Sequence, residues 1–552
     1  MKKNRYSGIF AFLFMVGLTT LACGLGSGTD DATPAPPRNA EVVQVVANTS
    51  LEPWLDTAVT QFNASETQTS DGKTIFVQLT PADAGQAVTN ILAGAAPALW
   101  IPDEAVWANI LADQGNNSFQ SNCVSVAQSP LVIGMWRDVA EALGWPGLPL
   151  GWLDVGSLAT DDALWNYYSG GELGDAFRLS HTHPGLSGSG VNTLLSLVQA
   201  AQTTTEAVTE TDIQRPIVKA SVGAFEGGVT WFSPNTRALS TAMSSRGLNY
   251  LSGGVMYESD VVNDGNGQIV AVYPFEGTFM ATHPACINNT ASSTQQEAAR
   301  LFRDYLLSEA GQQMALAGGL RPVSTAVPLA APLDEAHGVD VSQPTAVFAP
   351  PSVASVYAVQ ELWQEARKDV NLALLLDTSG SMRGAKMEGM RAAAIQFVEQ
   401  MGDDDYLSII AFSTEPELIV NHLQVGPNRQ KIINAIASLN ASGDTTLFDA
   451  IGDGAILLYS TSQPQTTNAL VVLSDGQDTR SYRYNNNSAA GVAQANNIPV
   501  FTIAYGSDAD DNTLRTITNQ TNGNFFKGDE ASIAAIYEEI SAAFGGSVGV
   551  GR

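Results

Sequence analysis

The sequence is poor in cysteine, histidine and basic residues. Of its 552 residues, 3 are cysteine, 5 are histidine and 26 are Lys or Arg, against 55 Asp or Glu, for a formal net charge of −29 at pH 7. An excess of negative charge this large repels a phosphate backbone, so we do not expect a nucleic-acid partner. The 44% apolar content indicates folded domains rather than disorder, and the length predicts two to four of them.

The chain has a short apolar run near its start. Lys2, Lys3 and Arg5 precede residues 9–18, which are almost wholly apolar. This run is shorter than the about 20 residues that span a bilayer and is typical of a signal peptide. A small residue then precedes Cys23, as in a bacterial lipobox. This resemblance implies removal of residues 1–22 and a lipid, such as palmitate, on Cys23, and so an exported protein held at the cell membrane. The alternative is a plain secretory peptide.

Two further cysteines remain, Cys123 and Cys286. In an exported chain they are expected to form one disulfide. The alternative is a pair of unpaired buried thiols.

After a flexible spacer at 23–40, apolar segments of strand length alternate with helical patterns. Residues 42–47, 74–79 and 99–101 are predicted strands, as is a long apolar run at 123–135; a charged and apolar helix is predicted at 296–315. Alternation of this kind predicts an α/β fold with a parallel sheet covered on both faces. We place the first domain at residues 41–350.

The last third of the chain has a clearer α/β pattern. A predicted linker helix at 351–368 leads to a domain at 369–544 and a tail at 545–552. Its apolar strands at 370–376 and 469–473 predict a doubly wound sheet, whose ligands bind beyond the carboxyl ends of the strands. The acidic run Asp403 to Asp405 is interpreted as a solvated loop.

Oxygen-bearing side chains follow both of these strands, and a third group lies on a loop between them. The candidate metal ligands are Asp377, Ser379, Ser381, Thr445 and Asp475. The set resembles the metal-ion-dependent adhesion site (MIDAS) of von Willebrand factor A (VWA) domains. Thr446 is the alternative to Thr445.

The resemblance implies hydroxyl ligands from Ser379, Ser381 and Thr445, with Asp377 and Asp475 acting directly or through water. These oxygens suit Mg²⁺, or else Mn²⁺ or Ca²⁺. Two carboxylates leave such an ion attractive to an acidic side chain of a protein partner. No nucleophile–base pair accompanies the set, so an enzyme is not expected. The alternative is an A-type domain without metal.

The first domain resembles the extracellular solute-binding proteins of ABC transporters, nearest the molybdate/sulfate group. The resemblance rests on loose stretches at 47–51, 93–97, 128–134, 273–278 and 319–323. It implies a type 2 periplasmic-binding-protein-like fold of two α/β lobes joined by crossing strands. A bridge between Cys123 and Cys286 would then lie at the hinge.

In such folds a small ligand lies between the lobes at helix N-termini. The candidate ligand-binding residues are Thr49, Ser50, Ser187, Ser189 and Tyr273. The alternative is that the serines only cap their helices. The chain departs from the oxyanion binders at Asp83, where they place serines. A carboxylate there disfavours an anionic ligand and leaves a cationic or neutral ligand, or none.

Three functions follow from these patterns. The leading hypothesis is a surface lipoprotein that binds a macromolecular partner through the metal site. Its first domain would capture a small ligand or serve as a second interaction module. The second is a transporter receptor in which the VWA-like domain is a docking module. The third, a metal-dependent hydrolase, needs a general base that the motif does not place.

Overall fold

The computed structural model describes residues 35–121, 123–463 and 466–551. The expected signal peptide, Cys23 and the start of the spacer lie outside the described residues. Within the described part of the chain, none of the helices combines the length and apolar character needed to cross a membrane.

The chain forms a first lobe, crosses to a second, and returns to the first. The opening elements are β1 (Glu41–Ala47), α1 (Glu52–Ala64), β2 (Ile75–Pro81), α2 (Ala84–Leu92), β3 (Leu99–Ile101), α3 (Val106–Asp113) and β4 (Cys123–Ser125). The second lobe contains β5 (Ser129–Trp136), α4 (Arg137–Ala142), α5 (Trp152–Thr160), α6 (Asp162–Ser169), β6 (Leu179–Thr182), α7 (Gly188–Gln202), α8 (Glu210–Ile213), α9 (Pro216–Glu226), β7 (Val229–Ser233), α10 (Thr236–Arg246), β8 (Gly253–Tyr257), α11 (Glu258–Gly265), β9 (Ile269–Val272) and β10 (Met280–Ala281). The returning elements are β11 (Pro284–Ile287), α12 (Ser293–Leu307) and α13 (Glu309–Ala317).

Each lobe is built on its own sheet. The strand order is β2-β1-β3-β11-β4 in the first lobe and β10-β5-β8-β6-β7 in the second, where β9 also pairs with β5. The chain crosses between the sheets at residues 126–128 and again at 282–283. This is the predicted two-lobed α/β arrangement.

Two predicted elements are wrong because each is divided. The strand predicted at 123–135 is β4 and β5, which belong to different sheets. The sequence does not mark this change of sheet, because apolar residues continue through the crossing at Val126 and Ala127. The helix predicted at 296–315 is α12 and α13, separated at Ser308, whose hydroxyl accepts a hydrogen bond from Gly311 N at 3.1 Å. Serine capping ends one helix and starts the next.

The predicted disulfide between Cys123 and Cys286 is confirmed. It joins β4 to β11, in which these two cysteines are register partners. Both strands adjoin the crossings between lobes, so the covalent link fixes the first-lobe side of the hinge.

The last third is a doubly wound domain, as predicted. After α14 (Val353–Ala366) its elements are β12 (Asp369–Asp377), α15 (Ala385–Gln400), β13 (Tyr406–Phe412), β14 (Pro416–Gln424), α16 (Val425–Ala437), α17 (Leu447–Thr461), β15 (Thr466–Ser474), α18 (Asn486–Ala495), β16 (Val500–Tyr505), α19 (Asp511–Gln520), β17 (Phe525–Gly528) and α20 (Ile533–Ala543). The strand order is β14-β13-β12-β15-β16-β17, and only the β13–β14 pairing is antiparallel. A hydrophobic core covers each face of this sheet. The central strands β12 and β15 are therefore buried on both sides.

The two halves of the chain are in extensive contact. Helix α14 packs into the core of the second lobe, and Arg367 just beyond it pairs with Asp405 at 3.0 Å. The interpretation of the acidic run as wholly solvated is therefore wrong at Asp405, which is 2% exposed. The tail also returns to the second lobe, where Val550 N donates to the Gly185 carbonyl at 2.7 Å.

Candidate metal centre and interlobe cleft

The predicted metal ligands lie where two adjacent parallel strands end. β12 ends at Asp377, and β15 ends at Ser474, next to Asp475. The two strands are paired in parallel up to Leu376 and Leu473, so their carboxyl ends meet at one edge of the sheet. This pairing brings side chains almost 100 residues apart in sequence into one crevice.

Asp377 is fixed by hydrogen bonds on both carboxylate oxygens. Its Oδ1 accepts from Ser379 N at 2.8 Å, and its Oδ2 accepts from Ser474 Oγ at 2.7 Å. Burial raises the pKa of the Asp377 carboxyl, while the hydrogen bonds from Ser379 and Ser474 act in the opposite direction. The side chain is thus fully buried but held in one orientation.

The hydroxyls of Ser379 and Ser381 form a hydrogen-bonded chain that ends at the carboxylate of Asp475. Ser379 Oγ lies 3.0 Å from Ser381 Oγ, and Ser381 Oγ donates to Asp475 Oδ1 at 2.6 Å. Neighbouring ligands of an octahedral Mg²⁺ ion, each about 2.1 Å from the metal, are about 3.0 Å apart. The spacing of the serine hydroxyls therefore fits one edge of such an octahedron.

The loop that carries Thr445 packs against the serine loop. Gly380 N donates to the Gly443 carbonyl at 3.0 Å, and Thr445 is 5% exposed. The hydroxyl of Thr446 donates to the Ser413 carbonyl at 3.0 Å. The hydroxyl of Thr446 therefore contacts the backbone just beyond β13, and the assignment of Thr445 as the metal ligand stays a prediction.

Lys386 is a charged group of this site that the motif did not indicate. Its Nζ donates to Asp475 Oδ2 and to Asp508 Oδ1, both at 2.8 Å. Burial alone lowers the pKa of Lys386, but the hydrogen bonds and charges of Asp475 and Asp508 outweigh it and raise the pKa. The ammonium group therefore neutralises part of the charge that a cation would use.

No cluster of three or more His, Cys, Asp or Glu side chains suited to a metal occurs in the described residues. The set at the sheet edge contains only two carboxylates, Asp377 and Asp475. Any cation there depends on hydroxyl oxygens to complete its coordination, which favours a hard ion.

The candidate ligand residues of the first domain lie at the seam between the lobes. Thr49, Ser50, Ser187 and Ser189 are each no more than 7% exposed. Ser189 Oγ contacts the hydroxyls of Thr182, Ser187 and Thr236 at 2.6–3.0 Å. The structure brings these four residues together.

Tyr273, the fifth candidate, contacts a different buried carboxylate, that of Glu258. Its hydroxyl donates to Glu258 Oε2 at 2.5 Å, and Arg321 pairs with the same carboxylate. Its role in ligand binding stays a prediction, as do the roles of the other four.

Buried carboxylates link the lobes at positions that sequence reasoning did not select. Tyr257 donates to Asp103 Oδ2 at 2.6 Å, Asn192 to Glu104 Oε1 at 2.8 Å, and Ser50 to Asp260 Oδ2 at 2.8 Å. Each bond joins one lobe to the other. The only sequence signal was that Asp103 and Glu104 follow the end of a strand.

Burial raises the pKa values of these carboxyls. The pKa reaches about 7 for Asp103, where the charge of Asp83 adds to the effect of burial. It reaches about 8 for Glu104, where the charge of Asp103 adds, and about 7 for Asp260, where that of Asp264 adds. The closed seam therefore favours their protonated forms.

Comparison with known families agrees with both halves of this structure. The family model described as bacterial extracellular solute-binding protein matches residues 43–321, and that of the von Willebrand factor type A domain matches residues 371–539. The chain belongs to the bacterial extracellular solute-binding proteins and carries a VWA domain. The predicted resemblances are thereby confirmed, and the solute-binding family indicates a periplasmic or extracellular location.

The similar proteins match parts of the chain. Uncharacterized protein sll0103 of Synechocystis sp. (strain ATCC 27184 / PCC 6803 / Kazusa) is 28% identical over 160 residues, 29% of this chain and 38% of that protein. Human inter-alpha-trypsin inhibitor heavy chain H3 is 25% identical over 187 residues, 31% of this chain and 21% of that protein. A periplasmic thiamin binding protein of known structure gives a TM-score of 0.44 at 11% identity, covering 60% of this chain and 98% of that one. The chain thus spans well under half the length of these curated relatives.

Replacing Lys386 tests the electrostatics of the VWA site. We expect Lys386→Met to raise the affinity for Mn²⁺ by about tenfold, because the negative charge of Asp475 is no longer neutralised at close range. Calorimetric titration of the purified protein with Mn²⁺ measures the change. Lys73→Met is the control, since Lys73 pairs with Glu41 in the solute-binding domain. A weaker affinity in Lys386→Met would instead show that the ammonium group positions Asp475.

The interlobe seam predicts a pH dependence of stability. A carboxyl whose pKa is raised in the folded state stabilises that state below its ordinary pKa near 4, and this stabilisation is lost as the pH rises through 7 to 8. We expect the thermal midpoint of the solute-binding domain to fall by about 5 °C or more between pH 5 and pH 8.

Calorimetric melts over that pH range, with Asp103→Asn beside the wild type, measure this effect. The variant cannot ionise at position 103, so its midpoint should fall less steeply with pH. Equal slopes would mean that general charge repulsion, and not the seam, causes the dependence.

Proposed function

We propose that the protein is a cell-surface lipoprotein whose VWA domain binds an acidic side chain of a protein partner through a divalent cation. The observation that carries this proposal is the chain of oxygens from Ser379 through Ser381 to Asp475, beside the fixed carboxylate of Asp377. Both ends of this chain are anchored to adjacent strands, so the oxygens are held in place before an ion binds. Rigid, pre-arranged ligands are what a selective metal site requires.

The residues of the site fit Mg²⁺, with Mn²⁺ and Ca²⁺ as alternatives. Ser379, Ser381 and Thr445 would provide hydroxyl oxygens, and Asp377 and Asp475 would provide charge. When bound, the cation supplies a Lewis-acidic position to which a carboxylate of a partner binds. Asp377 keeps its orientation through Ser474, and Lys386 limits the negative charge of the site.

The position of the one histidine of the VWA domain supports binding over hydrolysis. His422 is the only histidine of the VWA domain, and its Nδ1 lies 3.2 Å from Asn371 Oδ1, near the start of β12 and thus at the opposite end of the strand from Asp377. A metal-assisted hydrolase needs a general base next to the ion. Histidine does not supply one here.

We propose that the protein is anchored by a lipid on Cys23 after removal of residues 1–22. The spacer at 23–40 would separate the membrane from the solute-binding domain at 41–350. The helix segment 351–368, the VWA domain at 369–544 and the tail at 545–552 complete the chain. The family's extracellular character and the basic, apolar start of the sequence support this orientation.

A second candidate function is that of an ABC-transporter receptor with the VWA domain as a docking module. Membership of the solute-binding family favours it. It requires a small solute to bind between the lobes. A thermal shift of the solute-binding domain with a small solute would support this function over the first.

The leading proposal is tested by binding of the purified protein to intact bacteria of its own species. Binding in millimolar Mg²⁺ should be lost when EDTA is added and restored when Mg²⁺ is returned in excess. Binding that EDTA does not change would refute a metal-dependent contact.

A further inference from the structure

The carboxylate of Asp83 is the centre of a dense set of hydrogen bonds. Its Oδ1 accepts from Thr49 N at 3.1 Å and from Thr49 Oγ1 at 2.6 Å. Its Oδ2 accepts from Ser187 Oγ at 2.5 Å and from the N and Oγ1 of Thr236, both at 3.2 Å. The residue is 1% exposed. Five donors therefore surround one buried carboxylate.

These donors come from both lobes and from helix starts. Thr49 follows β1 in the first lobe, while Ser187 immediately precedes α7 and Thr236 begins α10 in the second. Free N–H groups, hydroxyls and the helix dipole at such positions favour a bound anion. Among the described residues, no Lys or Arg forms an ion pair with Asp83. The carboxylate is thus held as a small anion is held, by dipoles and neutral donors.

The backbones of the two lobes are in direct contact next to this carboxylate. Gln86 N donates to the Leu186 carbonyl at 3.0 Å across the seam. A Cβ on Gly85 would lie 2.3 Å from the Gly185 carbonyl oxygen, and a Cβ on Gly188 would lie 1.9 Å from Asp103 Oδ2. Glycine is required at 85 and 188 for this approach. A second anion would be repelled by the Asp83 carboxylate, which these donors already bind.

We propose that Asp83 is a built-in ligand of the solute-binding domain. Its carboxylate occupies the anion position between the lobes, holds them closed without a solute, and excludes oxyanions from the cleft. The domain then serves as a closed platform that carries the VWA domain, rather than as a receptor for an anionic solute. Removal of the carboxylate leaves the same donors free for a small external anion.

The test is chemical rescue of Asp83→Gly, followed by thermal melts of the full protein. Glycine is tolerated at the start of α2 and leaves a space of carboxylate size. We expect the variant to lose about 5 °C in the midpoint of the solute-binding domain. Formate at about ten times its dissociation constant should restore about 2 °C of that loss, whereas equal concentrations of chloride should not.

Wild type and Asp83→Asn are the matched controls. Neither should respond to formate or sulfate, because the carboxylate or the isosteric amide fills the position. Stabilisation of the wild type by formate, sulfate or molybdate would overturn the proposal, even if the glycine variant failed to fold. An Asp83→Gly protein that keeps its midpoint, or that folds but does not respond to formate, would overturn it as well.

Discussion

Asp377→Ala is expected to reduce the affinity of the protein for Mn²⁺ and Mg²⁺ by at least about 100-fold. Loss of a group that only orients a metal ligand lowers metal affinity by about 10- to 100-fold, and loss of a carboxylate of the site itself should lower it further. The substitution removes one of the two carboxylates in the candidate ligand set. It also leaves Ser379 N and Ser474 Oγ without the acceptors that fix the serine loop. The substitution therefore removes a negative charge and also removes the hydrogen bonds that orient the serine loop.

Calorimetric titration with each cation measures this loss, and the cell-binding assay should show it as the absence of Mg²⁺-dependent adhesion. Asp453→Ala is a suitable control, since Asp453 pairs with Arg483 in the same domain and is not a candidate ligand. If Asp377→Ala and Asp453→Ala bound Mn²⁺ equally well, the metal site would have to lie elsewhere.

The second large effect is expected at the junction of the two domains. Asp405→Ala should lower the free energy of unfolding of the VWA domain by about 3–5 kcal/mol, the usual cost of breaking a buried ion pair from one side. Asp405 accepts hydrogen bonds from Arg367 at 3.0 and 3.2 Å and from the N–H groups of Val370 and Gly402. Alanine would leave the Arg367 guanidinium buried without its partner.

Denaturant unfolding followed by circular dichroism measures this change, and Asp404→Ala is the matched control. Asp404 is the adjacent residue but is exposed, and its carboxylate contacts only Gln424 among the hydrogen bonds of the described residues. We expect a change within about 0.5 kcal/mol for the control. Comparable losses for the two variants would show that the junction does not depend on the ion pair.

The metal-site candidates were accessible from sequence because of how parallel sheets are built. Motif spacing placed Asp377 and Asp475 directly after apolar strands, and parallel pairing of β12 with β15 makes such positions converge. The choice between Thr445 and Thr446 was not accessible. The hydrogen bond from the Thr446 hydroxyl to the Ser413 carbonyl, 33 residues away along the chain, forms only in the fold.

Lys386 shows a further limit of sequence reasoning. Its partners Asp475 and Asp508 are 89 and 122 residues away, and no local pattern marks a lysine in the first turn of α15 as part of the site. Similarly, no pattern in the tail at 545–552 indicated a contact, because its small residues carry no helical or strand period. In the structure Val550 is 4% exposed, and its carbonyl accepts a hydrogen bond from Gln360 at 2.9 Å.

By itself, the sequence determined the α/β class of both halves, the pairing of Cys123 with Cys286, and the convergence of the candidate oxygen ligands at one sheet edge. Periodicity, cysteine number and strand-end motifs can be recognised in the sequence without a structure. Only the tertiary structure decided how the lobes meet. The donors to Asp83 from the second lobe lie 104 and 153 residues beyond it, so only the folded chain brings them to its carboxylate. In the sequence Asp83 is a departure from the anion-binding pattern. In the structure its carboxylate occupies the position of the anion.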